Sequence, residues 1–171
     1  KLLRAFVLDQ PTDEHITGLA ARLRAHDFAM RPVMRELLGS KLFFGAAARY
    51  ARIKEPLELT LGACRALGVR PNLQAINRVS GQLGQSVFEP ATVKGWEGGR
   101  LWITSASLLQ RNNFAMALLG GQMGQIAEPK KSRDNYRELL LSREVRGMAK
   151  AKDEPRKLVH LMMTLPEFQL T

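Results

Sequence analysis

The amino-acid sequence predicts an all-α fold, an irregular multi-helix domain carrying one long structured loop. Three observations point there. Apolar residues recur at helical spacing along most of the chain, and no segment alternates apolar and polar as a half-buried strand does. Capping residues, prolines and glycines stand where those periodic segments begin and end. One stretch, residues 85–103, breaks the periodicity and gathers both tryptophans with Gly95, Gly98, Gly99 and Pro90.

The elements follow in order. The chain begins inside a helical pattern, with Leu2, Leu3, Phe6 and Val7 clustered. Pro11-Thr12-Asp13 opens a helix with Ile16, Leu19, Ala20 and Leu23 on one face and Thr12 or Asp13 as cap. A second runs from about Pro32 to Leu38, and Gly39-Ser40 separates it from a short piece at Leu42-Phe43-Phe44. Glu55-Pro56 starts the next with proline in the first turn, where a missing N–H costs nothing. Its stripe reads Leu57, Leu61, Cys64 and Leu67, and Gly68 closes it. Pro71-Asn72 opens another, bearing Ile76, Val79 and Leu83, with Gly84 as its end.

After the loop, Thr104 or Ser105 caps a helix reaching Leu119. On its wheel Leu108, Leu109, Ala115, Met116 and Leu119 share a face, with Asn112 near the middle and Asn113 at the edge. A buried amide without partners costs on the order of 1–3 kcal/mol, so Asn112 or Asn113 is expected to latch the loop. The last helix, Pro155 to Leu165, carries Leu158, Leu161, Met162 and Leu165, and Phe168 is expected to pack the end down.

The chain has 171 residues, 45% hydrophobic and 25% charged, which describes an ordinary globule rather than a disordered chain. It reads as one domain, the C-terminal part of a longer protein, with a basic, partly helical insertion at about 120–152. Net charge is +10, and between Lys130 and Lys157 ten basic residues face five acidic ones. Only Tyr136, Leu139, Leu140, Leu141 and Val145 could anchor that stretch, so it is expected to pack loosely. No apolar run reaches the ~18 residues a membrane span needs, and no signal-peptide pattern is visible.

Few constellations carry chemistry. His15 and His26 lie about 16 Å apart along a helix, too far for one metal ion, and His160 points away from its stripe. Neither a metal nor a cofactor is expected. Cys64 falls in an apolar stripe and reads as a buried, inert thiol. Glu55 with Glu58 and Glu138 with Glu144 read as solvated helix faces, and no phosphate-binding loop pattern occurs. The loop is the exception, since a connection this long inside a compact domain is usually functional or packed on itself. Trp96 and Trp102 either line a pocket or pin the loop to the helices.

Here the residues become specific enough for a comparison. Leu83-Gly84-Gln85, Phe88-Glu89-Pro90, Val93-Lys94-Gly95-Trp96-Glu97-Gly98-Gly99 and Trp102 together resemble the C-terminal part of the bacterial domain of unknown function 1800. Leu108-Leu109-Gln110-Arg111-Asn112-Asn113-Phe114-Ala115 is similar to that family's following helix, with Asn112 where an aromatic is usual. Ile53-Lys54-Glu55-Pro56-Leu57-Glu58 with Ala66-Leu67-Gly68, and the closing Pro166-Glu167-Phe168-Gln169, match it too, while Ala91 departs from it. The resemblance implies a helical fold and an exported, extracytoplasmic or periplasmic protein, often encoded beside a sulfatase-like partner. It implies no established activity and no catalytic residues.

Three functions are therefore open. The first is a binding or scaffold module, with Phe88, Lys94, Trp96, Arg100, Trp102, Asn112 and Asn113 as candidate contact residues. The second is part of an enzyme whose catalytic groups lie mainly in an N-terminal region outside this sequence. The third is electrostatic binding of nucleic acid, or another anionic surface or polymer, through the basic insertion.

Overall fold

The computed structural model describes residues 1–96, 98–125, 133–141 and 155–171. It is all-α, with eight helices among those residues: α1 Leu2–Phe6, α2 Asp13–Ala25, α3 Met30–Leu38, α4 Pro56–Ala66, α5 Leu73–Gln82, α6 Ser105–Leu119, α7 Arg133–Leu141 and α8 Pro155–Thr164. Two-residue strands β1 (Arg70–Pro71) and β2 (Gly124–Gln125) pair antiparallel, Arg70 opposite Gln125. They are too short to show as alternation in the sequence.

Local chemistry sets the helix ends. The Thr12 hydroxyl accepts from the backbone of His15 while His15 Nδ1 accepts from the Thr12 N–H, so this histidine belongs to a reciprocal cap of α2. Asn72 caps α5, and Thr104 caps α6 in exchange with Ser107. Gly68, with φ +67°, ends α4. The Val69 N–H returns there to Cys64 O at 2.8 Å and Gly68 N–H to Arg65 O at 3.2 Å, satisfying two carbonyls the helix leaves free.

The chain divides into two compact units, Lys1–Ile53 with Leu170–Thr171, and Lys54–Gln169. In the first, Leu3, Val7 and Leu37 form a small core supported by Leu19, Met34 and Phe43. Helix α2 packs on α3 yet buries no residue. A groove of about 630 Å³ is lined by Leu3, Leu19, Leu37, Glu14, His15 and Glu36, among others. His26 Nε2 meets Glu36 Oε1 at 2.7 Å beside it.

The second unit holds the larger core. Helix α6 packs on α5 and α8, α4 on α5 and α7, and α7 on α8. Two stripes sit at a different azimuth from the one the sequence predicts. In α4 the buried side chains are Pro56, Leu59, Thr60, Ala63 and Cys64, with Leu57 and Leu61 half-buried, because neighbours on two sides demand a wider face. In α8, Val159 and Met163 join Leu158 and Met162 inside, and Leu161 is left 43% exposed. The described helix within the basic stretch is not loosely attached, since Tyr136, Leu140 and Leu141 are buried in the core. Val145, Glu144 and most of the basic residues there fall in 126–132 and 142–154, outside the described residues.

Candidate functional site

The connection between α5 and α6 is built from its two ends inward. At the first end Gly84 takes φ +96°. Gln85 is buried, and its Oε1 accepts the Leu57 N–H at 2.9 Å while its Nε2 donates to Glu55 Oε2 at 3.0 Å. That N–H lies in the first turn of α4 and has no partner within its own helix. Gln85 therefore caps α4 from the loop, and Glu55 is engaged rather than simply solvated. One step on, Asn77 Oδ1 accepts the Val87 N–H at 3.1 Å.

At the other end residues Gly99–Trp102 form a 3-10 turn, and the Ser107 hydroxyl donates to Trp102 O at 2.9 Å. Trp102 is 5% exposed. Its ring closes against the first end of the loop: a Cβ added at Gly84 would sit 3.3 Å from Trp102 Cζ3. Trp102 is thus an anchor, and the loop closes on itself as a compact surface loop does. Trp96 is half-buried. Both indole Nε1 atoms are buried with no hydrogen-bond partner among the described residues.

Between the ends the loop faces water. Phe88 is 93% exposed and holds φ +65°. Val93 and Lys94 stand exposed at the tip of a turn closed by Gly95 N–H to Thr92 O at 3.0 Å, with the Thr92 hydroxyl donating to Gly95 O at 3.1 Å. Arg100 and Leu101 are exposed as well. Phe88, Lys94 and Arg100 therefore lie on the open part of the loop, and Trp102 beneath it.

Asn112 and Asn113 do not latch this loop. Asn113 is exposed, and the Asn112 amide lies 3.9 Å from Met116 Sδ on its own helix. Helix α6 turns Arg111, Phe114, Ala115, Leu118 and Leu119 inward instead. The residue that sequence reasoning missed is Arg111, only 3% exposed. Its Nη1 donates to Gln169 Oε1 at 3.0 Å and its Nη2 to Lys54 O at 2.8 Å, while Nε has no partner among the described residues. Burial draws the guanidinium down to about 10. Lys54 Nζ donates to Phe168 O at 2.8 Å and lies 4.4 Å from the centre of that ring. Its pKa is lowered by burial, opposed by Glu58, with Arg111 lowering it further. The quoted segments around Lys54, Arg111 and Gln169 were the available signal, and the fold joins them.

Other reactive side chains are engaged in structure. Burial pushes the Cys64 thiol up, away from the nucleophilic thiolate. The buried Thr60 and Ser80 hydroxyls meet at 3.3 Å, and Thr60 also donates to Pro56 O. Among the described residues no three metal-ligating side chains gather, and no helix is long and apolar enough to cross a membrane.

A family model described as "Protein of unknown function (DUF1800)" matches residues 1–170. No curated protein and no solved structure matches the chain.

Proposed function

We propose, from the premise that this chain belongs to the DUF1800 family of proteins of unknown function, that it is a binding or scaffold module whose contact surface is the loop between α5 and α6. One observation carries the reading. Gln85, Asn77 and Trp102 pin the loop, yet it gives Phe88, Val93 and Leu101 to solvent along with Lys94 and Arg100. Apolar side chains displayed to solvent on a pinned loop mark a contact surface. Phe88 adds weight, because a left-handed backbone at a bulky residue costs about 1–3 kcal/mol and is retained where display of the side chain matters.

The partner to test first is a sulfatase-like protein encoded beside the gene, in an extracytoplasmic setting, as the family resemblance implies. Titration of that protein into this chain by calorimetry should give a saturable heat. The Phe88→Ser, Val93→Ser, Leu101→Ser triple variant should lose it while keeping the wild-type melting temperature. Undiminished binding by the triple variant removes the loop as the contact surface. A variant that unfolds instead makes the loop a packing element.

A further inference from the structure

The groove of about 630 Å³ in the first unit has the size of a small-molecule site. Its floor is apolar, made by Leu3 and Leu37 of the small core with Leu19 and Leu42 beside them. Its wall on α2 is the stripe Glu14, Gly18 and Arg22, which follow at i, i+4 and i+8 and line one face over about 12 Å. A second hollow of about 350 Å³ shares Leu3 and Leu19 with the groove. Helix α2 thus borders two hollows, and none of its thirteen residues is buried. All of these residues belong to the first unit, so the groove is independent of the loop between α5 and α6.

We infer that this groove binds a small amphipathic cation, an apolar body carrying an ammonium group, with the ammonium at Glu14 and the body over Gly18 against the leucines. Charge selects the head group. At the far end of the stripe Glu36 is held by His26 Nε2 at 2.7 Å and lies 3.8 Å from Arg22 Nε, so those charges answer one another. His15 is engaged through Nδ1 in the cap of α2, and the Ser40 hydroxyl donates to Leu37 O. Of the charged groups lining the groove, Glu14 alone has no partner among the described residues. The net charge of +10 does not reverse this preference, because exposed charges are screened beyond about 8 Å at physiological salt. The cations Lys1 and Arg4 line the other hollow.

Gly18 places the body of the ligand. A glycine inside a helix weakens it relative to alanine, and close approach of a ligand to the backbone is one use that outweighs the loss. Among the described residues nothing lies within 4 Å of a Cβ built at Gly18, so the chain's own packing does not call for glycine there. Its place midway between Glu14 and Arg22 leaves the centre of the groove unobstructed. Leucines on the floor and bare backbone on the wall suit an apolar body, and one carboxylate at the end fixes its direction.

Titration of the chain with n-octylammonium, followed by calorimetry and by amide chemical shifts, tests this. The probes n-octanoate and n-octanol have the same apolar length, and all three are kept below micelle formation. Octylammonium should bind saturably and shift the amides of Gly18, Leu19 and Leu42, while octanoate should bind roughly fivefold more weakly or worse. Glu14→Gln should weaken octylammonium by roughly two- to fivefold and leave octanol unchanged. Gly18→Leu should weaken octylammonium and octanol by roughly tenfold or more. Its melting temperature should stay at or above that of the wild type, leucine being the better helix former. No saturable binding, octanoate as tight as octylammonium, a Glu14→Gln variant with undiminished affinity for the amine, or a Gly18→Leu variant that binds as the wild type does overturns the inference. Should Gly18→Leu fail to fold, the wild-type shifts decide, and shifts confined to residues away from the groove overturn it.

Discussion

Arg111 and Gln169, 58 residues apart in the chain, meet side chain to side chain at 3.0 Å inside the second unit. Among the described residues no carboxylate is bonded to this guanidinium. Its acceptors are an amide oxygen and the backbone carbonyl of Lys54, and the Gln169 amide passes the network on to Met163 O at 2.8 Å. The start of the unit, the middle of α6 and the closing turn are thereby tied at one buried point. A cation placed there gives up hydration and regains it from neutral dipoles, so the tie is specific in geometry and sensitive to loss of any member.

Arg111→Met should therefore destabilise the chain by about 2–5 kcal/mol, since it leaves Gln169 Oε1 and the Lys54 carbonyl buried without donors. Gln169→Leu should cost a comparable amount, because it strips Arg111 and Met163 O together. The double variant should fall short of the sum by about 0.5–3 kcal/mol, the mark of groups acting through one another. Urea denaturation of the four proteins provides the cycle, and strict additivity would mean the two residues stabilise the fold independently.

The same cluster predicts how stability responds to alkali. Lys54 is lowered by burial, and Arg111 is drawn down to about 10. A base that holds its proton less tightly when folded leaves the unfolded chain binding more protons between the two pKa values, so stability rises with pH in that window. For Lys54 the window ends at its ordinary 10.5, and for Arg111 it runs from about 10 upward. Cys64 opposes this: its thiol is raised by burial, so above 9.0 the unfolded chain loses the proton first and stability falls. In a Cys64→Ala background, stability should climb as pH approaches 10.5 from below, and Lys54→Met should flatten the climb. Equal slopes with and without Lys54 would show that its ammonium is not the group being relieved.

These relationships mark the boundary of what was legible in the sequence. Caps at Thr12, Asn72 and Thr104, proline at position 56 and glycines at 68 and 84 act over a few residues, so their roles could be read directly. The loop announced itself by composition. The inward face of α6 could not be read, because apolar residues occur on all its sides and the deciding groups, Gln169 and the Lys54 carbonyl, are far away in sequence. An isolated wheel turns Asn112 inward, whereas the buried polar residue of α6 is Arg111, held by tertiary hydrogen bonds. The loop is latched not by Asn112 or Asn113 but by Gln85 and Asn77, whose partners are likewise set by packing.

Those two latches should differ in consequence. Gln85 is buried and serves two partners on α4, so Gln85→Ala should cost about 1–3 kcal/mol of global stability. Asn77 is exposed and holds one N–H of the loop. Asn77→Ala should leave the melting temperature nearly unchanged while speeding hydrogen exchange at Val87 and its neighbours, since a local opening need not involve the core. If Asn77→Ala lowers global stability as much as Gln85→Ala, the loop and the helices unfold as a single cooperative unit.

Three glycines offer a graded test of backbone geometry. At Gly68, φ is +67° and nothing lies within 4 Å of an added Cβ, so Gly68→Ala should cost only the left-handed backbone penalty of about 1–2 kcal/mol. Gly84 has φ +96° and an added Cβ would press on Trp102 Cζ3 at 3.3 Å, so its alanine variant should cost more. Part of that cost should disappear in Gly84→Ala, Trp102→Phe, where the smaller ring relieves the contact, and the two changes should be less than additive. At Gly124 a Cβ would stand 2.2 Å from the backbone oxygen of Arg70, which sits in the β1–β2 pairing and cannot swing aside as a side chain can. Gly124→Ala should be the most damaging of the three. Melting temperatures ordered Gly68→Ala above Gly84→Ala above Gly124→Ala are the expected result. A Gly84 variant no worse than Gly68, with no coupling to Trp102, would mean that the ring does not close the loop against the end of α5.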